Sequence, residues 1–338
     1  MAEKQAVSTP GSIGFLLVPN YSMIAFAAAV EPLRVANLVS GRELYRWHVL
    51  TLDGEPVAAS NGLSMEPAVA ASNAPRLDLL LVCAGVQVRD AATKSLLFWL
   101  RKFANGDAAL GAVCTGSYLL AKADLLNGYR CTIHWENMAS MYEEFPQIIV
   151  SPELFEIDRN RYTCAGGAAS LDMMMHIIAA RHGPELASTV SEECICERIR
   201  GRNDRQRIPL RMRLGTSQPK LMKAVTLMEA NLEEPISLDE LSQYVGLSRR
   251  QLERLFQKYL SCVPTRYYLE LRLARARQLL LQTEMSIVDV AFACGFVSAP
   301  HFSKCYRDFF GIPPRDERRL KRTKSVHSDR KPGDKASA

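Results

Sequence analysis

A chain of 338 residues, 48% hydrophobic and 23% charged, is too long for one ordinary core and too apolar to be disordered or fibrous. The opening MAEKQAVSTPGS lacks an apolar core of signal-peptide length and no run reaches about 18 uninterrupted apolar residues, so the expected compartment is the cytoplasm, with no membrane partner. The net charge of +6 is uneven: from Gln218 onward 21 Lys+Arg oppose 14 Asp+Glu, which leaves 21 against 22 before it, so a polyanion partner is expected for the carboxy-terminal end alone.

The first two-thirds alternate short apolar runs with helical segments. IGFLLVP (Ile13 to Pro19), LDLLLVCAG (Leu77 to Gly85) and AALGAVCTG (Ala108 to Gly116) are continuously apolar, as parallel strands covered on both faces must be. Helices are expected around Met23 to Leu38, Thr93 to Phe103 and Ser170 to Gly183. This alternation predicts a doubly wound α/β domain of the flavodoxin-like kind over residues 12–197. The nine cysteines include no repeated CxxC pair, and they read as buried thiols of a reducing compartment; no metal and no cofactor is expected.

GAVCTGSYLLAKADLLNGYRCTIHW (Gly111 to Trp135) places Cys114 between an apolar strand and a helix, the kind of turn that exposes a side chain beside helix-start N–H groups. Such a thiol is either activated or inert and buried, and His134, 20 residues on, is either a pocket contact or a structural histidine. The stretch from Ser12 to Cys196 resembles the class I glutamine amidotransferase-like group, PfpI branch. That branch contains cysteine hydrolases, and a hydrolase with a nucleic-acid-binding appendage is the rival reading. Three departures oppose it. Thr115 stands where peptidase-like members carry histidine, Arg34 occupies the nominal acid position, and Glu31 lies three residues earlier. The resemblance therefore implies a ligand-sensing cleft without catalytic residues, lined by Glu31, Cys114, Thr115, Gly116, His134 and Trp135. The stretch from Gly14 to Trp47 is similar to regulators of glycine betaine and carnitine catabolism, which implies a quaternary ammonium effector. Aromatic faces suited to such a cation are available at Tyr21, Phe26, Tyr118 and Trp135.

Residues 198–218 are charged, carry seven arginines in ERIRGRNDRQRIPLRMRLGTSQP, show no sustained period and read as a linker. After Pro219 the pattern is wholly helical. SLDELSQYVG has Ser237 and Glu240 in capping-box spacing, Gly246 turns the chain, and SRRQLERLFQKYL begins a helix at Ser248. A longer helix, Thr265 to Gln282, leads to a repeat of the unit, SIVDVAFACGFVSAPHFSKCYRDFFG. Phe256 and Tyr306, Leu252 and Phe302, and Pro264 and Pro314 share one 50-residue offset. Helix, glycine turn and helix is the helix-turn-helix arrangement, whose second helix fits a major groove about 12 Å wide.

In the first unit Leu252, Leu255, Phe256 and Tyr259 are expected to anchor the second helix, leaving Ser248, Arg249, Arg250, Gln251, Glu253 and Arg254 for DNA. In the second, Phe302, Tyr306, Phe309 and Phe310 anchor while Ser298, His301, Ser303, Lys304 and Arg307 face outward. The joining helix, about 27 Å long at 1.5 Å per residue, suits two readers near one DNA turn apart, about 34 Å. Residues 219–318 resemble the DNA-binding domain of AraC-family transcriptional regulators, with Ser261 where the family often has glycine and Asp316 where an aromatic often follows the last proline. The resemblance implies a sequence-specific transcription regulator, expected to be a homodimer, that binds double-stranded promoter DNA, answers a small-molecule effector, engages RNA polymerase and acts as an activator. Residues 319–338 are expected to form a basic, disordered tail.

Overall fold

The computed structural model describes residues 11–201, 204, 206 and 210–317; the expected basic tail lies outside the described residues. The chain divides into two compact units, the first ending at Arg207 and the second beginning at Ile208.

The first unit is built on a seven-stranded sheet: β1 Ser12–Leu17, β2 Arg46–Thr51, β3 Val69–Ala70, β4 Leu79–Cys83, β5 Ala109–Val113, β6 Phe155–Asp158 and β7 Arg161–Cys164. Their spatial order is β6-β7-β5-β4-β1-β2-β3, parallel throughout except for the antiparallel β6–β7 pair. The three apolar runs are the three central strands, and β4 shows why they do not alternate. Leu79, Leu81 and Cys83 join one core, while Leu80 and Val82 join the core on the opposite face.

Helices α1 (Met23–Ser40), α5 (Ala169–His182) and α6 (Pro184–Glu193) pack together over the first face. On the other lie α2 (Lys94–Ala104), α3 (Gly116–Lys122) and α4 (Met138–Glu144), whose Leu96, Leu119 and Met141 belong to the second core. Helix α1 has 18 residues and a mean hydropathy of 1.4, enough by composition to cross a bilayer. Its Ala25, Phe26, Ala29, Leu33 and Ala36 are instead buried in the first core, which accounts for its apolar character.

The segment expected to be a linker divides its allegiance. The Arg200 guanidinium and backbone N–H bind the Asp172 carboxylate at 2.6–2.9 Å, and the Gln206 amide donates to Thr132, Ile133 and Glu153 of the first unit. Helix α7 (Leu210–Arg213) is already attached to the second unit, with Leu210 against its core and Arg213 paired to Glu229 at 2.5 Å.

In the second unit α8 (Pro219–Ala230), α9 (Leu238–Val245) and α10 (Arg249–Leu260) enclose Leu221, Val225, Leu241, Leu252 and Phe256. Helix α11 (Pro264–Gln282) leads to α12 (Ile287–Ala293) and α13 (Ala299–Phe310). Capping boxes at Ser237/Glu240, Ser248/Gln251 and Ser286/Asp289 start α9, α10 and α12. The sequence spacing anticipates the first of these. Each leaves two fewer orphan N–H groups, which matters for helices this short.

Candidate nucleic-acid interface and sensor elbow

The two helix-turn-helix units repeat in detail. Leu252 and Phe256 are buried in α10, and Phe302 and Tyr306 take their places in α13. The expected outer anchors differ: Tyr259 is 36% exposed and Phe309 38%, because at one turn beyond the last buried position both lie on the helix flank. The turns are unequal. Ser286 follows Ser237 by 49 residues, but Ser298 follows Ser248 by 50, so the second turn holds one extra residue, and Val297 there is almost fully exposed.

Helix α11 fixes both units. The Tyr268 hydroxyl donates to the Asn231 carbonyl at the end of α8, and the Arg272 guanidinium donates to the carbonyls of Cys294 and Gly295 at 2.7 Å each. Arg272 also lies over the Phe296 ring at 4.1 Å, and burial lowers its pKa without discharging it. These carbonyls end α12, where a cation is favoured. The far end of α13 is closed by Glu317, a buried carboxylate that accepts from the Tyr306 hydroxyl at 3.0 Å and from Arg277 at 2.9–3.0 Å. Burial and that carboxylate push the Tyr306 phenol strongly up, so it remains a donor.

On the outward face the predicted residues fall into two groups. Ser248, Gln251 and Ser298 are occupied by helix caps, while Arg249 is engaged by Glu253 at 3.3 Å and Asp239 at 4.0 Å. Arg250, Arg254, Lys304 and Arg307 are exposed and have no side-chain partner among the described residues. Ser303 is partly buried, and the His301 ring contacts the Cys305 thiol at 3.4 Å. Both second helices thus present unpaired cations, two from each.

The elbow of the first unit lies at the carboxyl edge of the sheet, where open α/β sheets place their ligands. Cys114 follows β5 in a left-handed conformation, φ 60°, and its N–H donates to Cys164 O at 3.1 Å. Gly166 approaches so closely that a Cβ there would stand 2.5 Å from Cys114 Cβ, which excludes any side chain. The Cys114 thiol is 8% exposed, and its pKa is pushed up to about 12, first by burial and then by Cys164 and Glu136. The thiol is therefore protonated at neutral pH. Thr115 Oγ1 donates to Gly85 O at 2.6 Å, and Gly116 opens α3.

The His134 N–H donates to Cys114 O at 3.3 Å, which brings these two sequence-predicted residues together through the backbone. Burial lowers the His134 pKa, opposed by Glu136, whose carboxylate lies 3.8 Å from Nδ1. Trp135, 37% exposed, lies beside the imidazole with ring centroids 5.8 Å apart. Glu31 does not join this group. It is exposed, paired with Arg34 at 2.7 Å, and neighbours Cys194 near the end of α6. Nor do the four aromatics converge: Tyr21 and Phe26 belong to the first core, Tyr118 to the second, where Phe145 and Arg89 contact it. Glu136 is the carboxylate that the fold brings to the elbow; its place in HWE, two residues after His134, is the signal available in sequence.

Two family models match: the DJ-1/PfpI family over residues 16–180 and a helix-turn-helix domain over residues 241–320. The HTH-type transcriptional regulator GbdR of Pseudomonas aeruginosa is 60% identical over 309 residues, 91% of this chain and 84% of the relative. The regulator CdhR of the same species is 47% identical over 90% of each chain. A solved AraC family transcriptional regulator from Pseudomonas putida is 31% identical and superposes with a TM-score of 0.50 over 55% of this chain and 100% of its own.

Proposed function

The chain belongs to the AraC-type helix-turn-helix transcriptional regulators that carry a DJ-1/PfpI domain, and from that premise we propose that α10 and α13 read promoter DNA under control of a small cationic effector held at the Cys114 elbow. The observation that carries this reading is the pair of exposed cations on each second helix that have no side-chain partner among the described residues: Arg250 and Arg254 on one, Lys304 and Arg307 on the other. Arginine can fork onto guanine O6 and N7, whereas lysine serves as a point charge for phosphate or guanine. His301 and Ser303 supply further polar edges on the second helix, and the capping serines hold both helices in place.

A quaternary ammonium such as glycine betaine or carnitine is the effector class. Its support is the resemblance of the Gly14 to Trp47 stretch noted in the sequence, together with a carboxylate, Glu136, and an exposed indole, Trp135, flanking His134. Cys114, with its proton held to about pH 12, belongs to the pocket wall, and this supports a non-enzymatic role. The protein works in the cytoplasm, as an activator that contacts RNA polymerase and as a homodimer spanning repeated sites.

Operator binding by fluorescence anisotropy at moderate salt tests the reading. Arg250→Ala and Lys304→Ala should each weaken binding by about 1–3 kcal/mol, with unchanged circular dichroism. Wild-type affinity in both variants would remove these faces from the interface.

A further inference from the structure

We propose that the segment carrying Arg200, Asp204 and Gln206 is a releasable latch, docked on the Thr132–Ile133 segment that runs up to His134 beside the elbow, through which effector binding reaches the DNA-binding unit; its ligand arm rests on the function proposed above. The docking is specific. Asp172, 1% exposed on α5, accepts from the Arg200 N–H at 2.8 Å and from its guanidinium at 2.6 and 2.9 Å. Leu154 N–H donates to Asp204 O at 3.0 Å, and Gln206 N–H to Pro152 O at 3.3 Å. The Gln206 amide then donates to Thr132 Oγ1, Ile133 O and Glu153 O at 2.8–3.0 Å.

Thr132 and Ile133 immediately precede His134, whose N–H is bonded to Cys114 O. Thr132 O also accepts from Ser117 Oγ at 2.7 Å, on the first turn of α3. One residue, Thr132, therefore touches both the latch and the elbow helix. At the other end Leu210, four positions after Gln206, is packed on the core of the second unit.

The docked state is also imperfect. Among the described residues Gln206 Oε1 and Glu153 Oε2 are buried without a hydrogen-bond partner, and an interface that strands two acceptors gains by opening. A ligand that moves the Thr132 to His134 segment would shift this balance, since it binds the docked and undocked forms unequally.

Reciprocity makes the latch testable without effector: what the elbow does to the latch, the latch does to the elbow. In the full chain, alkylation of Cys114 by N-ethylmaleimide is followed peptide by peptide, with Cys262 and Cys305 of the second unit as internal references. Gln206→Ala, or Arg200→Ala should the first fail to fold, is expected to speed Cys114 labelling at least about fivefold and leave the references unchanged. An unchanged Cys114 rate overturns the latch. In a second arm, glycine betaine should alter wild-type operator affinity, and the ratio of affinities with and without it should fall toward one in Gln206→Ala. A variant that keeps the wild-type ratio also overturns the latch. A wild type blind to glycine betaine overturns the proposed effector instead, and the labelling result then decides the latch alone.

Discussion

The duplicated turn offers a controlled comparison at Gly246 and Gly295. Both are left-handed, φ 65° and φ 72°, so alanine at either incurs about 1–2 kcal/mol of backbone strain, partly offset by a stiffer unfolded chain. Their surroundings differ. A Cβ at Gly246 meets nothing within 4 Å. At Gly295 it would stand 2.6 Å from Leu232 O and 2.6 Å from Pro235 Cγ, and neither backbone oxygen nor proline ring can swing aside. Overpacking adds about 1–3 kcal/mol there. Displacing Gly295 would also pull its carbonyl from Arg272. Gly246→Ala should therefore cost about 1 kcal/mol and Gly295→Ala about 3, a difference of roughly thirtyfold in local opening. Hydrogen exchange read by mass spectrometry on the full chain measures this separately over 238–260 and 287–310. Equal losses at the two sites would refute the close-approach argument.

Two further outcomes are expected. Cys114 and Cys131 both hold their protons to about pH 12 against an ordinary thiol value of 9.0, so the first unit should be stable below about pH 9 and lose stability as pH rises toward 12; urea midpoints flat from pH 8 to 11 would contradict this. Glu317→Ala strands the buried Tyr306 hydroxyl and should destabilise α13 by about 2 kcal/mol, whereas Glu317→Gln keeps an acceptor and should cost less, as exchange rates in α13 would show.

How much of this was legible in the residues depends on distance along the chain. The central strands announced themselves because burial on both faces leaves an unbroken apolar run, as in Leu79 to Cys83. Arg46 to Thr51 did not, because beside it lies only the two-residue edge strand β3, its first four residues are partly or fully exposed and its polar residues mask the strand. The helix-turn-helix units were readable since their geometry is set within some twenty residues. The elbow was only half readable. The position of Cys114 follows from a local strand-to-helix pattern, but which carboxylate stands near it depends on how separate elements pack, and Glu136 rather than Glu31 arrives there. Arg198 to Gln206 looked like a solvated linker for the same reason, since the partners Asp172 and Thr132 lie far away in sequence.

One consequence of the unequal copies concerns orientation. Helix α10 begins with arginines, α13 with Ala299 and Pro300, and α11 holds the two in fixed succession through Tyr268 and Arg272. If both helices read DNA as proposed, a chain so built cannot be turned end for end on its site without exchanging unlike readers. It therefore lends the duplex beneath it a direction, an upstream and a downstream, that a palindromic reader would not distinguish.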